Sequence, residues 1–356
     1  MSYTEALYYP TIDIKDEEWL KNAILFWDKI YTIVPKSIDN PYKEFTSSAL
    51  ASNGVVEPIR VSCEDEVVNS LAKKIKGVSK KTIALEFFKQ GRDTETNPYS
   101  DARSYFYLHH DKLPFTIQET LYKKNLIDHD GWAMVSENFA DFYMTLLAAS
   151  YAKRKHLSLL ADVKINFDLA NSYTYGLERT RLSNNQQLLL KNKVAEEMLF
   201  NLVIDGIKIN PLTSVDDLLN FKERRKDELG IFRHELSRLT GELNLDNVES
   251  FDELQGVISA VYINDFLPAL SNLKRTLTEN NISWIESAEN FVASLFSSIQ
   301  LTLTTNSPLC IPIGVGCSIV SKCMKSKFKR RSIYRKNPYS YLLSLANENI
   351  ITDVKI

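Results

Sequence analysis

The sequence predicts an α+β protein, predominantly helical, with a small N-terminal βαβ lobe and a C-terminal helical bundle. Three observations carry that prediction. An extended apolar run, an amphipathic segment and a β-branched run succeed one another within the first 35 residues. Leu229, Phe232, Leu236, Leu239 and Leu243 then repeat at 3-4-3-4 spacing, a helical seam. Two capping signals, Ser214-x-x-Asp217 and Ser250-x-x-Glu253, open helices in the same C-terminal stretch.

Taken in order, Ala6–Tyr9 and Ile12–Ile14 read as extended chain around Pro10. Asp16 can cap a helix from Glu17 to Asp28, whose early acids suit the positive end of its dipole. Trp19, Leu20, Ala23, Ile24 and Trp27 supply its apolar face. Lys29–Val34 is a β-branched run stopped by Pro35, a buried strand. A helix is expected from Pro41 to Ser52, closed by Asn53–Gly54, and extended chain from Val55 to Val61.

The middle of the chain is mixed. Thr116–Ile127 reads as helix, Gly131–Val135 as a short strand after an Asp–Gly turn, and Glu137–Lys155 as a strong helix with Phe139, Phe142, Tyr143, Leu146 and Leu147 on one face. That order resembles a winged helix, but it is also a generic connector. Further on, a long charged helix is expected after Ser214 and another after Ser250, with Pro268 kinking the second. The two would form an antiparallel hairpin packed by Ile282–Leu303. The resulting division is an α/β lobe over 1–100, a mixed region over 101–210 and a helical bundle over 211–356.

Composition bounds the function classes. With 44% hydrophobic and 25% charged residues the chain is that of an ordinary globular protein. A net charge of −2 excludes a molecule built throughout for nucleic acid, so any such role needs a local patch. Cys63, Cys310, Cys317 and Cys323 form no Cys-x-x-Cys pair, and the N-terminus lacks the basic and apolar regions of a secretion signal. Free thiols and a cytoplasmic location are expected.

Several short motifs resemble a family of uncharacterised bacterial proteins, a domain of unknown function. They are Leu7–Tyr8–Tyr9–Pro10, Asp16–Glu17–Glu18–Trp19–Leu20–Lys21, Trp27–Asp28–Lys29–Ile30, Ile33–Val34–Pro35, Gly131–Trp132, Tyr143–Ala148 and Asn337–Leu343. The resemblance spans nearly the whole chain. It implies a bacterial, intracellular protein and transfers no catalytic residue.

Candidate chemistry is sparse. His109–His110–Asp111 and His129–Asp130 are the residue types that bind metals in phosphohydrolases, and they define a metal-dependent nuclease or phosphohydrolase reading. The ordinary alternative is solvated turn residues beside Pro114 and before Gly131. Asp13, Asp16, Glu17 and Glu18 lie near a strand end, where nucleases hold Mg²⁺, yet a helix start accounts for the last three. No phosphate-binding glycine loop and no nucleophile elbow is present. No cofactor or metal is implied, and the enzyme question leans towards no.

The remaining feature is a neutral stretch, Asn290–Ser321, followed by eight Lys or Arg residues and no acid between Lys322 and Lys336. Each half of the neutral stretch is too short to cross a bilayer, since spanning takes about 20 apolar residues. A buried hairpin is expected there, with no stable transmembrane segment; a membrane-acting effector is the rival. Lys325, Lys327, Lys329, Arg330, Arg331 and Arg335 are the candidate anion- or partner-binding residues. The expectation is thus a non-enzymatic bacterial interaction protein, of an accessory or defence-type system. Its basic surface would meet a protein partner, nucleic acid or anionic lipid.

Overall fold

Three short parallel strands near the N-terminus, joined by a fourth from mid-chain, and a largely helical remainder make this chain the mixed α/β protein that its patterning predicts. The computed structural model describes residues 4–77, 105–123, 127–162, 183–279 and 337–351. Two compact units divide the chain. The first takes Tyr3–Leu20 and Trp27–Leu182, and the second is built from Lys21–Phe26 and Ser183–Ile356, with Met1–Ser2.

In the first unit the sheet order is β3-β2-β1-β6. Strand β1, Glu5–Tyr8, pairs in parallel with β2, Lys29–Pro35, on one side and with β6, Ser158–Leu160, on the other. Strand β3, Val56–Val61, extends β2 in parallel. Ala6, Leu7, Ile30, Val34 and Val61 have no measurable exposure. Such continuous burial is the demand a parallel sheet makes on its sequence.

Helix α1, Glu17–Phe26, starts where expected, with the Asp16 carboxylate accepting the Trp19 amide at 2.9 Å. It stops two residues short of the expected end because the Asp28 amide donates to the Thr4 carbonyl at 2.7 Å, drawing the chain into β2. Helix α2 runs Phe45–Ser52 rather than from Pro41, since the Asp13 carboxylate takes the Lys43 and Glu44 amides and holds that approach extended. Gly54 follows with φ +69°, the left-handed cap its Asn–Gly pair predicts. Helix α3 is Glu66–Gly77.

A two-stranded antiparallel ribbon joins β4, Tyr105–His109, to β5, Trp132–Ser136. Between them lie a 3₁₀ turn, His110–Lys112, and helix α4, Phe115–Lys123. Helix α5, Glu137–Lys155, has the bounds read from its sequence, and Phe139, Tyr143, Leu146 and Leu147 on its apolar face are buried.

The second unit is helical. Helix α6, Asn184–Asp205, opens on a Ser183–Gln186 capping box. The expected single helix after Ser214 is two, α7 over Val215–Arg224 and α8 over Lys226–Gly241. Arg225 breaks it with φ −111° and ψ 17°, its guanidinium turned to Glu348 at 2.7 Å and Glu228 at 3.0 Å. Helix α9, Phe251–Val261, has its predicted capping box. The Pro268 kink takes the form of a π turn, Tyr262–Phe266, before helix α10, Leu267–Glu279, because the proline has no N–H to return to the preceding turn.

Helices α8 and α9 do not pack as a simple pair. Both lie on α6. The segment expected to cover them, Ile282–Leu303, falls outside the described residues. Helix α11, Ser340–Asn347, contributes Tyr341 to an aromatic cluster with Phe26 at 5.9 Å, Phe221 at 5.6 Å and Phe232 at 6.3 Å between ring centres. Tyr341 donates to the Leu25 carbonyl at 2.6 Å and buried Arg233 to that of Phe26, so two of the carbonyls left without helical partners at the end of α1 are satisfied. Among the described residues no helix is long and apolar enough to cross a membrane.

Candidate metal centre

His109 is the last residue of β4 and faces Trp132 of β5 across the ladder. Its ring meets the indole edge-on at 5.1 Å and the His110 ring at 4.7 Å. The chain then tightens into the 3₁₀ turn, where the Asp111 amide donates to His109 Nδ1 at 3.2 Å. That tightening folds His109, His110 and Asp111 back on one another.

The opposite wall is a turn built by Asp128, whose carboxylate accepts the amides of Asp130 at 3.0 Å and Trp132 at 2.7 Å. Gly131 completes it with φ +84°, and its carbonyl accepts the His110 amide at 2.8 Å. Gln118 on α4 fastens the turn from below, donating to the carbonyls of His110 at 2.7 Å and Leu113 at 3.0 Å.

One ring nitrogen from each histidine and one carboxylate oxygen of Asp111 lie within 4.8 Å of one another. The closest pairs are His109 Nδ1 to Asp111 Oδ2 at 3.7 Å and His110 Nε2 to Asp111 Oδ1 at 3.6 Å. A tetrahedral zinc ion with bonds of 2.0–2.2 Å sets its ligands about 3.4 Å apart. The two pairs use different oxygens of Asp111, so a single ion would have to draw donors now within 4.8 Å of one another closer together.

The atoms behind the donors fit the same purpose. Asp111 Oδ2 receives the Ser37 hydroxyl at 2.7 Å and the Ser37 amide at 3.2 Å. His110 Nδ1 lies 2.7 Å from the Tyr122 hydroxyl, and His109 Nε2 lies 3.4 Å from Ser37 Oγ. Metal-bound histidines characteristically hand their second ring nitrogen to such a partner, which fixes ring and tautomer. With His110 Nδ1–H donating to Tyr122, the Nε2 lone pair is left for a cation.

Burial pushes the His109 pKa below its ordinary value; the Asp111 carboxylate opposes this, while His110 and Lys112 add to it. The ring is thus held in the neutral form that coordinates metals. Its side chain is 4% exposed, against 28% for His110 and 15% for Asp111, so one side of the donor set opens to solvent. Of the three, His109 is buried and so departs from the solvated-turn reading, whereas His110 and Asp111 stay half-buried in the 3₁₀ turn.

The other sequence candidates separate. His129 and Asp130 pair with each other at 3.4 Å, are 90% and 71% exposed, and stand outside the donor set. Asp13 and Asp16 accept backbone amides at helix starts, and Glu17 and Glu18 lie in the first turn of α1. Lys325, Lys327, Lys329, Arg330, Arg331 and Arg335 lie outside the described residues, as do the neutral stretch and three of the cysteines; Cys63 is a free thiol. Sequence reasoning missed Ser37 and Tyr122. Ser37 reaches Asp111 across 74 residues and leaves no local signal. No protein-family model, no curated protein and no solved structure matches this chain.

Proposed function

We propose that the chain binds a divalent transition metal, zinc foremost, through His109, His110 and Asp111, and acts as a metal-dependent phosphohydrolase or nuclease. One observation supports this above the rest: Asp111 and His110 each have a polar group at their back, which leaves Asp111 Oδ1 and His110 Nε2 facing one another at 3.6 Å. Two imidazoles and one carboxylate suit zinc and its neighbours better than magnesium or calcium, which prefer all-oxygen sites. Three protein ligands leave a fourth position for water, the arrangement of catalytic rather than structural zinc. A bound ion there would lower the pKa of its water and polarise a phosphoryl oxygen. Ser37 would hold the Asp111 carboxylate still, and Tyr122 would keep the His110 lone pair on the ion.

The test is titration of the metal-stripped full chain with Zn²⁺, Mn²⁺ and Mg²⁺ by calorimetry, followed by hydrolysis of bis(p-nitrophenyl) phosphate. Stoichiometric zinc binding and turnover are expected, both lost in His110→Ala and Asp111→Asn. Zinc uptake equal in wild type and variants would end the reading.

A second reading rests on charge alone. The run of eight cations without an acid over Lys322–Lys336 supports a contact surface for an acidic protein, nucleic acid or anionic lipid. Charge reversal at Lys329, Arg330 and Arg331 that leaves every such interaction intact would remove it.

A further inference from the structure

One face of the ribbon formed by β4 and β5 is covered and the other is not. Directly paired residues share a face, as do residues two apart along a strand. Leu108, Ala133 and Val135 stand on one face and are buried, with α5 packed against both strands. Tyr107, His109 and Trp132 stand on the other. There His109 is buried, Trp132 is half-buried and Tyr107 is 57% exposed. Neither strand contains an Asp, Glu, Lys or Arg, so this open face is aromatic rather than charged.

The exposed ring is one of a row. Ring centres lie 6.1 Å apart for Tyr122 and His110, 4.7 Å for His110 and His109, and 5.1 Å for His109 and Trp132. Tyr107 pairs with Met134 and so is the diagonal neighbour of Trp132, with about 7–8 Å between Cβ atoms, within reach of aromatic side chains. Among the described residues Tyr107 makes no ring contact and no side-chain hydrogen bond. The row thus carries solvent-accessible rings on both sides of the donor set, Tyr107 and Trp132 on one and Tyr122 on the other. Single exposed rings are ordinary; a series leading out of a polar cluster is a surface that binds something.

The chemistry of the neighbours selects the occupant. A centre suited to phosphoryl transfer, flanked by open aromatic faces, fits a ligand that joins phosphates to flat rings. Unpaired nucleobases stack on Tyr and Trp whatever their sequence, whereas bases in a duplex already stack on one another. Lys36 adds a cation: it precedes Ser37, is exposed, and its ammonium has no partner among the described residues, so it is free for a backbone phosphate. The acids of the adjoining turn are engaged, Asp128 with the Asp130 and Trp132 amides and Asp130 with His129 at 3.4 Å.

We propose that the open face of the ribbon is a stacking platform for the bases of a single-stranded nucleic acid, Tyr107 and Trp132 receiving bases while Lys36 meets the backbone. The platform stands without an ion; its place as the substrate side of the metal centre rests on the metal-site reading above. The probes are a fluorescein-labelled oligothymidylate of about eight nucleotides and an abasic strand of equal length, followed by anisotropy with the full chain in EDTA. The abasic strand has the same phosphates, so cations elsewhere in the chain hold both alike. Oligothymidylate should bind at least tenfold more tightly than the abasic strand. Tyr107→Ala should lower its affinity about tenfold and leave zinc uptake unchanged, whereas Tyr107→Phe should keep it, since stacking uses the ring. Lys36→Ala should weaken both strands equally. Equal binding of the two strands by wild type, or wild-type affinity in Tyr107→Ala, overturns the platform even where zinc binds and phosphodiester is hydrolysed. Base-dependent binding that needs Tyr107, in a chain that takes up no zinc, upholds the platform and defeats the metal reading.

Discussion

A methyl group at Gly131 would lie 2.9 Å from Cδ2 of His110 and 3.1 Å from Nε2 of His109. Residue 131 also has φ +84°, a conformation that costs an L-residue about 1–2 kcal/mol. Gly131→Ala should therefore destabilise the first unit by roughly 2 kcal/mol and push both imidazoles off the donor geometry. Urea unfolding and zinc titration on one sample check both effects. Unchanged zinc affinity would show that the rings do not depend on this wall.

Ser37 and Tyr122 act at the backs of the ligands. Ser37→Ala and Tyr122→Phe should each weaken zinc binding about 10- to 100-fold, the usual effect of losing an outer-shell partner. Tyr122 is 48% exposed, so Tyr122→Phe should barely move the melting temperature. Calorimetric titration with thermal melting separates the two quantities, and full zinc affinity in both variants would detach them from the site.

Lys112 is 3% exposed, and burial pushes its pKa down to about 7 from an ordinary 10.5. The unfolded chain then binds more protons than the folded one between these values, so wild-type stability rises with pH from about 7 to 10.5. At 1.36 kcal/mol per unit the full penalty below pH 7 approaches about 5 kcal/mol. Lys112→Met should remove it, being more stable than wild type near pH 7 by a few kcal/mol, with the advantage shrinking towards pH 10. Urea midpoints at pH 6, 8 and 10 decide this; parallel pH trends in the two proteins would contradict it.

His156 follows α5 with φ +57°, and the Leu157 amide returns to the Ala152 carbonyl at 2.9 Å, as a left-handed helix cap requires. His156→Gly should stabilise the protein by about 1 kcal/mol, because glycine enters this conformation without a Cβ penalty. A lower melting temperature in the variant would show that the ring itself contributes.

What was legible in the residues was local. The bounds of α5 followed from an unbroken apolar face closed by Lys153–Lys155, and the Ser250 box marked the start of α9. Long-range partners decided what was not. No periodicity shows that the Asp28 amide belongs to Thr4, or that Arg225 leaves its helix for Glu348, 123 residues on. Helix α6 had its own signal, Ser183-x-x-Gln186, before a polar first turn that hid the apolar face behind it. His109–His110–Asp111 announced its chemistry by composition, but its enclosure came from Ser37. The strand order joins Tyr8 to Leu160 and has no counterpart in local pattern.

The last turn of α1 has a consequence for synthesis. Its Leu25 carbonyl is met by Tyr341, 316 residues downstream, and its Phe26 carbonyl by Arg233, 207 residues downstream. A ribosome adding about 5–20 residues per second needs roughly 15–60 s to supply the tyrosine. Throughout that interval the nascent helix end keeps its acceptors in water or on a chaperone, and the second unit can close only after nearly the entire chain has been translated.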